Sequence, residues 1–191
     1  PSGKREAILQ AAVTLFHRYG FRKTSVDALA AEAQVSKPTV YAHFADKDAV
    51  FAAVCERVLE DILREAQAAA AGPGSLSTRL TAVLAAKFSV LFDLVHRSPH
   101  AAELLAPRGQ ADAIIAAADA RYLALLTDVL RAAAAAGEID PAAAGLSFPA
   151  LARQLLQLAH GAGYGASDGA SHRAQLGPLV KMTLRAVARR A

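Results

Sequence analysis

Residues 24–47, TSVDALAAEAQVSKPTVYAHFADK, constrain the fold of this chain more than any other stretch. Thr24 followed three residues later by Asp27 has the form of a helix-starting capping box, and Val26, Leu29, Ala30 and Ala33 then recur at helical spacing. A first short helix is therefore expected to about Ala33, with Gln34 and Val35 as the turn. Ser36 can cap a second helix that carries Pro38 in its first turn, where a missing amide proton costs nothing. That helix should end near Phe44. Helices this short are not stable alone, so Val40 and Phe44 must dock on neighbours. The outward side then offers a cation, hydroxyls, a phenol and an imidazole, groups able to reach phosphates and base edges in a major groove.

The run VSKPTVYAHFADKDAVF, preceded by REAILQAAVTLFHRYGF and by TSVDALA, resembles the amino-terminal domain of the TetR/AcrR family of bacterial transcription repressors. The likeness covers roughly residues 4–53, about a quarter of the chain, and includes a Tyr-x-His-Phe signature as Tyr41, Ala42, His43 and Phe44, followed by Lys47. Gln34 departs from the Gly often found in such turns, and a positive φ there costs a non-Gly residue roughly 1 kcal/mol. The resemblance together with the caps assigns DNA contacts to Thr24, Ser36, Lys37, Pro38, Thr39, Tyr41, His43 and Lys47. Lys37 and Thr39 are assigned mainly to base edges, and Tyr41, His43 and Lys47 mainly to phosphates or the groove wall. Thr24 and Ser36, at helix starts, are assigned to backbone phosphates. Tyr19 and Phe44 are expected in the core.

Composition agrees with a helical globular chain. The 191 residues are 54% hydrophobic, about a quarter of them Ala, with a formal net charge of +4, a mild basic bias compatible with a nucleic-acid partner. The single Cys55 cannot form an internal disulfide and has no evident His partner for nucleophilic work. No leader or bilayer-spanning apolar run is visible, so a cytoplasmic protein without membrane association is expected. His96 and His100 are four apart, but Pro99 breaks the helix that a metal pair would need. With no Gly-rich phosphate loop and no triad, neither metal, cofactor nor catalytic residues are expected, and the chain does not read as an enzyme.

The rest reads as helices separated by breakers. The first spans about Lys4 to Tyr19, with Ile8, Ala12, Leu15, Phe16 and Tyr19 on one stripe and Gly20 as a stop. Asp46 caps a long helix that carries Val50, Val54, Val58 and Ile62 and continues to about Ala71. Further helices are expected near 77–96, 101–105, 110–136, 142–164 and 171–190, with no strand pattern. The fold class is all-α: an amino-terminal three-helix helix-turn-helix domain over 1–47, then a helical effector-binding and dimerisation domain over 48–191.

In the last two helices, Leu151, Leu155 and Leu158 form one stripe and Leu176, Val180, Leu184 and Val187 another. Amphipathicity does not name its partner, so these stripes fit a four-helix dimer bundle or the inside of a monomer equally well. The resemblance implies the first: a homodimer whose two recognition helices meet the half-sites of a palindromic operator in double-stranded DNA. It also implies a small-molecule effector enclosed by the middle helices. Phe88, Phe92, His96, Tyr122 and Leu125 are the candidate lining residues, against the alternative that these positions are ordinary core. With no Trp and few charges on these stripes, a mainly apolar effector is expected. The reading is a ligand-responsive homodimeric repressor; the alternative is a helical small-molecule binding protein or enzyme with a vestigial DNA-binding domain.

Overall fold

The computed structural model describes residues 2–91, 98–106 and 109–189. Phe92 and His96 lie outside the described residues. The fold is all-α: among the described residues the elements are α1 (Ser2–Lys23), α2 (Val26–Glu32), α3 (Lys37–His43), α4 (Lys47–Ala71), α5 (Leu76–Leu91), α6 (Ala101–Leu104), α7 (Gln110–Ala135), α8 (Phe148–Gly163) and α9 (Gly169–Ala186). The chain divides into two compact units, residues 1–60 with 93–117 and residues 61–92 with 118–191. No helix among the described residues is long and apolar enough to cross a membrane.

The first unit is organised around one apolar cluster that takes Ile8, Leu9, Ala12 and Phe16 from α1, Leu29 from α2, Val40 from α3 and Val50 and Phe51 from α4. Phe16, Phe21 and Phe51 form its aromatic centre, with ring centroids 5.4–5.7 Å apart in tilted and edge-on pairs. Leu104, Ala111 and Ile114 complete the cluster from α6 and the start of α7. Gly20 ends the first helical run as expected: at φ 82° and ψ 164° it is non-helical and kinks the chain, and a second, short run of three residues follows before Thr24. One expectation for α1 needs correction. Tyr19, placed just before that kink, is 47% exposed rather than core, with the Arg18 guanidinium over its ring.

In the second unit α5, α8 and α9 pack on one another through Leu80, Val83, Leu84, Leu151, Leu155, Leu176 and Val180, all essentially inaccessible to solvent. Sequence caps fix the ends. Ser147 accepts from the Ala150 amide to start α8, and Asp168 and Ser171 form a reciprocal capping box at α9. The single helix expected over 142–164 is two elements: a 3-10 turn at Pro141–Ala144, a left-handed Gly145, then α8. The end of α9 is tied down by the Asp140 amide donating to the Val187 carbonyl at 2.7 Å, beside an isolated bridge between Ile139 and Ala188.

Candidate nucleic-acid interface

The local chemistry of residues 20–47 decides which side chains face outward. Ser25, not Thr24, caps α2, its hydroxyl accepting from the Ala28 amide at 3.1 Å. Thr24 is 2% exposed and its hydroxyl donates to the Gly20 carbonyl at 2.7 Å, so the assignment of Thr24 to a phosphate is corrected: it ties the α1–α2 corner. The turn after α2 closes with Val35 N–H on the Ala30 carbonyl and Gln34 N–H on the Ala31 carbonyl, a Schellman arrangement. It requires a left-handed residue, and Gln34 supplies it at φ 55°.

Ser36 caps α3, accepting from the Thr39 amide at 3.3 Å and bonding the Thr39 hydroxyl at 2.8 Å. Val40 and Phe44 turn into the core at 1% and 6% exposure, and the Arg5 guanidinium lies 5.4 Å from the Phe44 ring centroid. With that side fixed, Ser36, Lys37, Pro38 and Tyr41 are exposed and Thr39 and His43 half-buried on the same short helix. The structure thus brings six of the eight assigned residues together. Lys37 is engaged in the free chain: its ammonium lies 3.0 Å from the Asp27 carboxylate. That hydrogen bond, helped by the charge of Asp27, raises the Lys37 pKa.

Lys47 is the second correction. Its ammonium donates to the carbonyls of Phe21 and Thr24, both at 2.8 Å, and reaches that of Arg22 at 3.4 Å, while lying 4.3 Å from the Phe21 ring centroid. It closes the carbonyl end of α1 instead of pointing away from the unit. Arg22 and Lys23, both exposed immediately before α2, are cations that the sequence reading passed over. Their signal was a pair of basic residues in the last turn of α1.

The model of the tetR family of bacterial regulatory proteins matches residues 8–54, which contain the helices and turns just described. Residues 8–54 are thus similar to the amino-terminal domain of the tetR family. Over 62 residues the chain is 36% identical to the HTH-type transcriptional repressor SCO4008 of Streptomyces coelicolor, a match covering 32% of each protein. The chain spans about a third of the length of the curated relative it matches. Its fold is shared at full length: the TetR-family regulator SCO4454 of Streptomyces coelicolor aligns with a TM-score of 0.70 at 25% identity, covering 98% of this chain and 97% of that one. A transcriptional regulator of Cytophaga hutchinsonii aligns at 0.78 with 17% identity over 97% and 99% of the two chains.

The positions assigned to an effector and to a dimer fare differently in this fold. Tyr122 is buried and its hydroxyl donates to the Val83 carbonyl. Burial and the nearby Glu65 charge push its pKa upward. Phe88 is half-buried and stacks on the imidazole of His172, 3.6 Å between centroids and 13° between planes. Leu125 is half-buried. His172, fully buried, was missed by sequence reading although it continues the Leu176 and Val180 stripe four residues upstream. Its Nε2 bonds the Ala159 carbonyl at 2.8 Å, and Nδ1 is buried without a hydrogen-bond partner among the described residues. Of the residues assigned to dimerisation, Leu151, Leu155, Leu176, Val180 and Val187 are buried within a single chain. Leu158 and Leu184 are half-buried. The accessible side of α8 and α9 holds a groove of about 440 Å³ lined by Gln154, Leu158, Gly161, Leu179 and Thr183.

Proposed function

We propose that this chain is a DNA-binding transcriptional regulator, a homodimeric repressor that leaves a palindromic operator when a small, mainly apolar effector binds. The observation that carries the reading is the outer side of α3: Ser36, Lys37, Pro38, Tyr41 and part of Thr39 and His43, held outward by the capped start and by Val40 and Phe44 beneath. Hydroxyl, ammonium, phenol and imidazole on one short helix supply both phosphate and base-edge contacts. The repressor named among the relatives supports the sign of regulation.

The dimer face is the accessible side of α8 and α9 around Leu158, Gly161, Leu179 and Thr183, since the opposite stripes are already buried. A two-fold pair places two α3 helices on two half-sites, which makes the operator palindromic. The effector acts from the second unit, with Phe88, Tyr122 and Leu125 the described candidates for its walls. To empty the operator it must favour the released state by about 5.5 kcal/mol.

Selection of bound sequences from a random duplex pool at physiological salt tests the reading. The intact chain is expected to recover a palindrome that a Thr39→Ala, Tyr41→Ala variant does not. Weak, salt-sensitive and unselective binding by the intact chain would overturn it.

A further inference from the structure

The corner joining α1 to α2 is gripped from two directions. Lys47 holds its carbonyls, as described above. Residues 98–103 hold its other side: the Ser98 hydroxyl donates to the His17 carbonyl at 3.0 Å, before the kink, and a Glu103 oxygen accepts from the Arg22 amide at 2.5 Å, after it. The same carboxylate lies 3.8 Å from the Arg22 guanidinium nitrogen, and its side chain is only 20% exposed. Between the two bonds sits Gly20. A Cβ there would fall 2.5 Å from Glu103 Oε2 and 3.1 Å from the His100 ring, so any side chain would push the Glu103 carboxylate aside, on top of the strain of a positive φ.

We propose that Glu103 is a positioning residue for the DNA-reading helices: by clasping the Gly20–Thr24 corner, it fixes the direction in which α2, and through it α3, leaves α1. The proposal rests on the DNA-binding function above. Lys47 and the Thr24 hydroxyl hold the carbonyls of this corner, whereas its Arg22 amide is held by Glu103. The kink interrupts the helical hydrogen-bond ladder, so the Arg22 amide takes its acceptor from a residue 81 positions away. Thr24 returns to the Gly20 carbonyl, Ser25 begins α2 at the next residue, and the Schellman turn then sets α3. Any loosening of the Arg22 end passes to α3 through two short helices with no free length between them.

The test compares the full-length parent, Glu103→Ala and Glu103→Gln by amide hydrogen exchange and by affinity for the duplex recovered in the selection above. Gln keeps an oxygen acceptor for the Arg22 amide and Ala does not. Glu103→Ala is expected to speed exchange over residues 21–32 and to lower specific affinity by about tenfold, with nonspecific affinity unchanged, as befits loss of a charge-assisted hydrogen bond. Glu103→Gln is expected to restore most of both. Parent-like exchange and affinity in Glu103→Ala overturn the proposal, as does a loss in Glu103→Gln equal to that in Glu103→Ala. Should Glu103→Ala lose protection throughout, Ser98→Ala, which removes the bond to His17 and the acceptor of the His100 amide, decides: local acceleration over 17–32 supports the clasp and parent-like exchange overturns it. If the parent selects no duplex, the functional reading has failed, and the exchange comparison still tests the clasp by itself.

Discussion

Lys37 and His172 show how one charge or one ring nitrogen sets a property of the whole chain. Lys37 reaches the DNA-facing side already paired with Asp27, so binding a phosphate or base means sharing or leaving that carboxylate. Replacing Asp27 with Asn is expected to tighten binding up to about fivefold at low salt, with the gain fading at high salt, because exposed pairs are weak and screened. An anisotropy titration across salt concentrations checks this. His172 is the opposite case. Burial lowers its pKa, the Ala159 carbonyl opposes that, and Arg173 adds to the lowering; burial and Lys87 lower His160 as well. A histidine whose folded pKa is depressed binds fewer protons folded than unfolded once the pH drops below the ordinary value of about 6.5. The stability it supports is therefore present above that value and is lost as pH falls through the folded pKa. Thermal unfolding from pH 7 to pH 5 should show a falling midpoint, with a shallower slope in His172→Gln.

At the scale of elements, the turn between α2 and α3 carries a measurable strain. Gln34 occupies a left-handed conformation at φ 55°, so Gln34→Gly is expected to stabilise the chain by about 1 kcal/mol, or a few degrees in midpoint, with operator affinity intact. A midpoint below the parent's would contradict the strain. That turn, like most element ends, was legible in the sequence because it is written in short-range chemistry. Ser36 with Pro38, Asp46 ahead of α4 and Gly137 behind α7 each do their work within a few residues. What stayed hidden depends on distant partners. Thr24 and Ser25 are adjacent hydroxyls, and only the carbonyls of Gly20 and Leu15 decide that the first is buried and the second caps. Lys47 follows the family signature in sequence, yet its ammonium is claimed by carbonyls some 25 positions earlier. Gly20 reads as a helix stop and breaks α1, but the approach of His100 and Glu103 to it was not visible in the sequence. The stripes of α8 and α9 were visible as periodicity, but periodicity does not distinguish a partner helix in the same chain from one in another.

For the whole molecule, the proposed dimer face and the core lie on opposite sides of α8 and α9. Gly161 separates them cleanly, since a side chain built there meets nothing within 4 Å in the single chain, while it lies in the groove proposed as the interface. Gly161→Arg is expected to leave the fold intact and convert a dimer to a monomer by sedimentation velocity; a dimer that survives the substitution removes this face from consideration. Loss of the dimer should also abolish cooperative binding to a two-half-site duplex. The central claim is that α3 reads DNA while the α1–α2 corner only supports it, and the direct measurement pairs operator affinity with thermal midpoint in Thr39→Ala and Thr24→Val. Thr39→Ala is expected to lose about 1–3 kcal/mol of specific affinity with a nearly unchanged midpoint, and Thr24→Val to lower the midpoint through about 1 kcal/mol of lost hydrogen bonding. Parent-like operator affinity in Thr39→Ala, with the loss appearing only where stability falls, would contradict it.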